Sequence, residues 1–130
     1  MIALDTSAIV AIALGEPEAE AFTEIIGARR AYVAAPTVLE IKLVLTPRLG
    51  AYADAFLEAL LSRPSIRCVD FTLPMYRLAA DAFDRFGKGR HAARLNFGDC
   101  MSYAVAKAHD VPLLFKGNDF AQTDIRPAFV

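Results

Sequence analysis

Ile2-Ala3-Leu4-Asp5-Thr6-Ser7, continued by Ala8-Ile9-Val10-Ala11-Ile12-Ala13-Leu14-Gly15, is the stretch that decides the fold. Its first three residues are apolar without alternation, the pattern of a strand buried on both faces of a parallel sheet. Asp5-Thr6-Ser7 then supplies capping side chains and Gly15 a stop, so a helix capped by Thr6 or Ser7 follows at once and runs to Leu14. A buried strand leading straight into a helix is the first half of a βαβ unit.

The remaining chain repeats the alternation. Glu16-Pro17 begins a second helix, with Ala21, Phe22, Ile25 and Ile26 at helical spacing, that ends at Gly27. Arg30–Ala34 reads as a second strand. After Pro36, Thr37 caps a third helix carrying Val38, Leu39, Glu40, Ile41, Val44 and Leu45, which Pro47 ends. A fourth helix spans about Ala51 to Arg63, a third strand Ile66 to Val69, and a fifth helix about Leu73 to Phe86. Gly87-Lys88-Gly89-Arg90-His91 breaks the pattern. A sixth helix runs from about Asn96 or Gly98 to Ala108, Pro112–Phe115 forms a strand, and the tail from Ile125 to Val130 adds a last short one. Strands separated by helices in this order predict an α/β fold with a parallel sheet covered on both faces.

Composition agrees with one compact domain over residues 1–130. With 55 % hydrophobic and 22 % charged residues, the chain is too apolar and too weakly charged to be disordered. Cys68 and Cys100 lie far apart with no metal-binding spacing, which suits a reducing cytoplasmic setting. Asp5 and Glu16 interrupt the apolar runs well before about 18 residues, so no membrane span or signal peptide is expected. The 14 basic and 15 acidic residues nearly cancel, yet they are segregated. Residues 1–28 hold Asp5, Glu16, Glu18, Glu20 and Glu24 and no Lys or Arg, whereas Arg85, Lys88, Arg90, His91 and Arg94 cluster without an acid among them. A mean hydropathy of +0.35 points to apolar surface covered by another chain.

In a parallel sheet, ligands gather at the carboxyl ends of the strands. Asp5 follows the first strand and Asp119 the last long one, while Glu40 and Asp99 begin helices that face the same edge. Two carboxylates about 4 Å apart repel by about 4 kcal/mol at an effective dielectric near 20, so four together call for cations between them. Hard divalent ions with oxygen ligands, Mg²⁺ or Mn²⁺, fit such a set.

These residues carry a resemblance. Asp5-Thr6-Ser7 after an apolar strand, Glu40, Asn96-Phe97-Gly98-Asp99-Cys100 and Leu113-Leu114-Phe115-Lys116-Gly117-Asn118-Asp119-Phe120 resemble the PIN domain, specifically VapC-type toxins of bacterial toxin–antitoxin pairs. The resemblance covers essentially the whole chain. It implies a three-layer α/β/α fold around a central parallel sheet of four to five strands. It implies a Mg²⁺- or Mn²⁺-dependent endoribonuclease whose metal-binding acids are Asp5, Glu40, Asp99 and Asp119, supported by Thr6, Ser7, Asn96 and Asn118. It further implies water as the nucleophile, 5′-phosphate and 3′-hydroxyl products, an inhibitory VapB-like antitoxin and a homodimer. Lys88, Arg90, His91, Arg94 and Lys116 are candidates to contact RNA phosphates, and Asp124 is a weaker candidate for the acidic site.

Each feature also has a plainer reading. Asp5-Thr6-Ser7 and Asp99 are good helix caps, the basic cluster is an ordinary solvated face, and Phe97 and Tyr103 read as core. Cys100 reads as a small buried filler, and His91 has no necessary role as a base beside metal-activated water. No phosphate loop, dinucleotide fingerprint, zinc-protease helix or serine-hydrolase elbow is present in the sequence. Two other functions stay open: a non-catalytic PIN-like scaffold binding RNA or protein, and an aspartyl-phosphate phosphatase using Asp5, although Ser7 stands where that chemistry uses a second Asp.

Overall fold

The structure, a computed structural model, describes residues 1–129. Four strands, β1 (Ile2–Leu4), β2 (Ala31–Ala34), β3 (Ile66–Val69) and β4 (Leu113–Leu114), form one parallel sheet in the order β3-β2-β1-β4. Six helices cover it: α1 (Thr6–Ala13), α2 (Ala19–Ala28), α3 (Ala35–Leu49), α4 (Tyr52–Leu61), α5 (Leu73–Phe86) and α6 (Phe97–His109). The fold is the expected three-layer α/β/α arrangement.

The alternating sides of the strands divide the core in two. Ile2, Leu4, Ala31, Val33 and Leu114 pack against α1 to α4, while Ala3, Ala34 and Leu113 pack against α5 and α6. The handedness of parallel crossovers explains the split. The chain steps one way from β1 through β2 to β3, then returns past β1 to β4, so its last two helices cross the opposite face. The return leaves a topological switch point between β1 and β4, where the Asp5 N–H donates to the Leu114 carbonyl at 3.0 Å.

Several boundaries differ from the sequence reading for local reasons. Asp5, rather than Thr6 or Ser7, caps α1, and Gly15 follows its end at a φ of 64°, a left-handed conformation natural to glycine. Glu16-Pro17-Glu18 forms a turn, closed by the Ala19 N–H on the Glu16 carbonyl, and α2 begins only at Ala19. Helix α3 starts at Ala35 with a proline in its first turn; Thr37 is buried inside it and caps nothing. Pro47 does not end that helix. The N–H it lacks would have met the carbonyl of Leu43 on an exposed face, and the Thr46 hydroxyl reaches back to the Lys42 carbonyl at 2.7 Å as the helix runs on to Leu49. The tail forms no strand among the described residues. It meets the sheet through a single bridge between Leu113 and Pro127, and Val130 lies outside the described residues.

Candidate active site

Asp5 is fixed by the end of β1 and only 3 % exposed. One of its oxygens, Oδ2, accepts both the Ser7 N–H at 3.0 Å and the Ser7 hydroxyl at 2.5 Å. The Ser7 hydroxyl in turn accepts the Lys116 N–H at 3.0 Å, joining the loop after β4 to the acid after β1. Thr6 serves a different acid: its hydroxyl donates to Glu40 Oε1 across α1 and α3. The turn Asp5-Thr6-Ser7 thus caps α1 and also places two hydroxyls on the carboxylates of Asp5 and Glu40.

Asp99 is the third residue of α6 and forms a reciprocal cap with Asn96. The Asp99 N–H donates to Asn96 Oδ1 at 2.9 Å, and the Asn96 N–H donates to Asp99 Oδ2 at 3.0 Å. That uses one oxygen and holds the carboxylate in place. Between them, Gly98 makes room for Glu40: a Cβ at position 98 would stand 2.6 Å from Glu40 Cδ. Asp119 begins a short 3-10 turn at Phe120–Gln122, makes no capping bond and is exposed, as is its neighbour Asn118.

Electrostatics place the four acids in one field. Burial pushes the Asp99 carboxyl up to about 6; the Asn96 backbone opposes the shift, and the charges of Asp5, Asp119 and Glu40 add to it. Burial likewise raises Asp5, against hydrogen-bonding side chains at Ser102 and Ser7. Folded Asp99 therefore keeps its proton to a higher pH than in the unfolded chain, where the ordinary value is 3.8. The metal-free protein is expected to gain stability as pH falls from about 7 to about 5, the reverse of a salt-bridged acid. Melting temperatures across that range check it; a fall would contradict the geometry.

Among the described residues, no three His, Cys, Asp or Glu side chains form a ready-made metal cluster. Asn96 holds Asp99, Thr6 holds Glu40, and Asp119 is turned to solvent. The donor set nonetheless suits a hard divalent cation, being carboxylate and hydroxyl oxygen with two acids driven toward protonation by burial.

The other candidates fall into different places. Asp124 does not join this site: it accepts the Tyr103 hydroxyl at 2.8 Å and pairs with Lys107 at 2.9 Å and Arg85 at 3.6 Å, bracing α5 and α6 against the tail. Arg85 is therefore lost to the basic cluster. Lys116 spans Glu16 at 3.1 Å and Glu18 at 3.5 Å, so its charge is neutralised beside the site. His91 is exposed, with Nδ1 accepting the Ala93 N–H, and Arg90 lies over the Phe83 ring at 4.9 Å. Lys88, Arg90 and Arg94 all face solvent. Phe97 corrects the expectation of a core aromatic. It is 81 % exposed and lines, with Lys88, Asn96, Tyr76 and Phe83, an apolar groove of about 850 Å³ next to Asp99. Tyr103 and Cys100 are buried as expected. Sequence reasoning passed over Gly98 and Ser102, whose signals were a glycine inside a first helical turn and a hydroxyl one turn beyond Asp99.

A parallel sheet with acids at its switch point defines a class of protein, and comparison with known sequences names it. The PIN-domain family model matches residues 2–126, and the chain belongs to that family. Within it, the chain groups with the VapC ribonucleases. Ribonuclease VapC36 of Mycobacterium tuberculosis is 46 % identical over 124 residues, covering 94 % of this chain and 89 % of its own. The crystal structure of VapC20 from the same species, a sarcin–ricin-loop-cleaving toxin, superposes with a TM-score of 0.79 at 18 % identity, over 96 % of each chain. VapBC2 of Rickettsia felis, solved with a fragment of promoter DNA, gives 0.74 at 14 % identity, over 98 % of this chain and 96 % of the matched one.

Proposed function

We propose that this chain is a divalent-metal-dependent endoribonuclease, the toxin of a toxin–antitoxin pair. The observation that supports the reading is the buried Asp5 at the β1–β4 switch point, with Asp99 capping α6 nearby and Glu40 packed over Gly98 beside it. The relatives named VapC ribonuclease support the activity. Asp5, Glu40, Asp99 and Asp119 would hold Mg²⁺ or Mn²⁺. A hard divalent ion held there would supply acidification of a water and neutralisation of phosphate charge.

The protein's own groups then have separable tasks. Ser7 and Asn96 each hold one oxygen of Asp5 and Asp99, which orients those carboxylates. Thr6 holds Glu40 above Gly98. Lys88, Arg90 and Arg94 are free to meet phosphates, and the sulfhydryl groups of Cys68 and Cys100 suit a cytoplasmic protein. No helix among the described residues is long and apolar enough to cross a membrane. Exposed Leu39, Leu43 and Val44 on α3, with Tyr76 and Phe83 on α5, offer apolar surface to a second copy or an antitoxin segment. A phosphoryl-aspartate on Asp5 is disfavoured by its burial and by the double hold of Ser7 on one oxygen.

Total RNA incubated with the purified chain should be cut only with Mg²⁺ or Mn²⁺ present, with EDTA stopping cleavage and excess Mn²⁺ restoring it. Asp5→Asn, which still accepts the Ser7 N–H, should be inactive with both ions. Cleavage that persists in EDTA, or in Asp5→Asn, would remove the reading.

A further inference from the structure

Ser102 stands on α6 one turn beyond Asp99, on the same side of the helix. It is 1 % exposed, and its hydroxyl oxygen is buried with no hydrogen-bond partner among the described residues. Its neighbours along the buried stripe of α6 include Met101, Ala104, Val105 and Ala106, and an alanine would suit position 102 as well as any of them. An unpaired buried hydroxyl is costly, so a serine there calls for an acceptor. Asp5 is the acceptor at hand. Its Oδ2 already receives two hydrogen bonds from Ser7, whereas Oδ1 receives none among the described residues. Helix α6 packs directly on β1, the strand whose end carries Asp5, which puts this buried hydroxyl and that carboxylate on adjoining elements.

We infer that Ser102 is a positioning residue whose hydroxyl donates to the second oxygen of Asp5, so that Ser7 from α1 and Ser102 from α6 hold the carboxylate from two sides. The bond would close with Asp5 holding a divalent cation. This rests on the reading of Asp5 as a metal-holding acid, and it adds a group outside the four acids and their capping neighbours.

Function and stability should move in opposite directions in Ser102→Ala. Mn²⁺ titrated calorimetrically into the full chain should bind about tenfold more weakly, as loss of a group that orients a ligand does elsewhere. The kcat for RNA cleavage should fall with KM unchanged, while the metal-free melting temperature stays level or rises because an unpaired donor is gone. Ser102→Thr, which keeps the hydroxyl, should recover most of the Mn²⁺ affinity. Mn²⁺ affinity within twofold of the native chain in Ser102→Ala overturns the inference. So does a defect shared by both variants and accompanied by a lower metal-free melting temperature, which would mean packing. If the native chain binds no Mn²⁺, the proposed function fails as well; if Asp5→Asn loses Mn²⁺ and Ser102→Ala does not, only Ser102's role fails.

Discussion

Asp99→Asn will lower RNA turnover by on the order of 10²–10³-fold or more while leaving the metal-free protein at least as stable as the native chain. The reasoning turns on the two jobs of this carboxylate. As a cap it needs only an oxygen that accepts the Asn96 N–H, at 3.0 Å, and an asparagine supplies one. As part of the acidic group it must carry charge, which asparagine cannot. Removing that charge also relieves repulsion from Asp5, Asp119 and Glu40. The rise in stability toward acid pH should flatten in the variant, since the proton that folded Asp99 retains up to about 6 no longer exists. Asp99→Ala loses both jobs, so it should be inactive and also less stable than Asp99→Asn, by about 0.5–2 kcal/mol, the usual worth of a cap. Measuring cleavage and melting of the two variants together separates charge from cap. Full turnover in Asp99→Asn would show that position 99 is only a cap.

Gly98→Ala should slow cleavage with little change in fold. The added methyl would stand 2.6 Å from Glu40 Cδ, and what yields is the far end of a flexible side chain rather than backbone. Glu40 then leaves the Thr6 hydroxyl and the field it shares with Asp99. Alanine is favoured over glycine inside a helix by about 1 kcal/mol, so α6 should lose nothing by the change. A drop in kcat of roughly 10–100-fold at unchanged melting temperature is the expected outcome, in line with displaced metal-site support. A double-mutant cycle decides the cause. In a Glu40→Ala background, Gly98→Ala should have no further effect on cleavage, because the side chain it displaces is already gone. Additive losses would place the damage in the helix.

Local sequence carried the elements well where one residue type has one physical outcome. The unbroken Ile2-Ala3-Leu4 run, the stop at Gly15 and the helix over Leu73–Phe86 all appear as the pattern implies. The acids at strand and helix ends were open to reading as candidates because a parallel sheet sends its strand ends to one edge, and the charges of Asp5, Asp119 and Glu40 do bear on Asp99 there. What depends on partners distant in sequence was not legible. Nothing near Asp124 announces that Tyr103, Lys107 and Arg85 will engage it, and nothing near Lys116 announces Glu16 and Glu18. Phe97 misled for a related reason: an aromatic at a helix start has no periodicity of its own, and which side of α6 faces the sheet is set by Cys100, Tyr103 and Ala104 further along. Pro47 ends helices in general, but an exposed last turn tolerates it.

The sheet order has a bearing on when, during its manufacture, such a chain becomes dangerous. Strand β1 pairs with β2 on one side and waits on the other for β4, whose residues Leu113 and Leu114 are made more than a hundred positions later, with Asp119 later still. The Ser7 hydroxyl that steadies Asp5 likewise receives its own donor only from Lys116. A nascent chain carries Asp5 and Glu40 until Leu113 and Leu114 are made, without the strand that closes the site. Closing that long loop is entropically costly and comes late in folding. For an RNA-cutting chain made on an RNA machine, the order of the strands acts as a delay: the blade is assembled only after Leu113, Leu114 and Asp119 have been made.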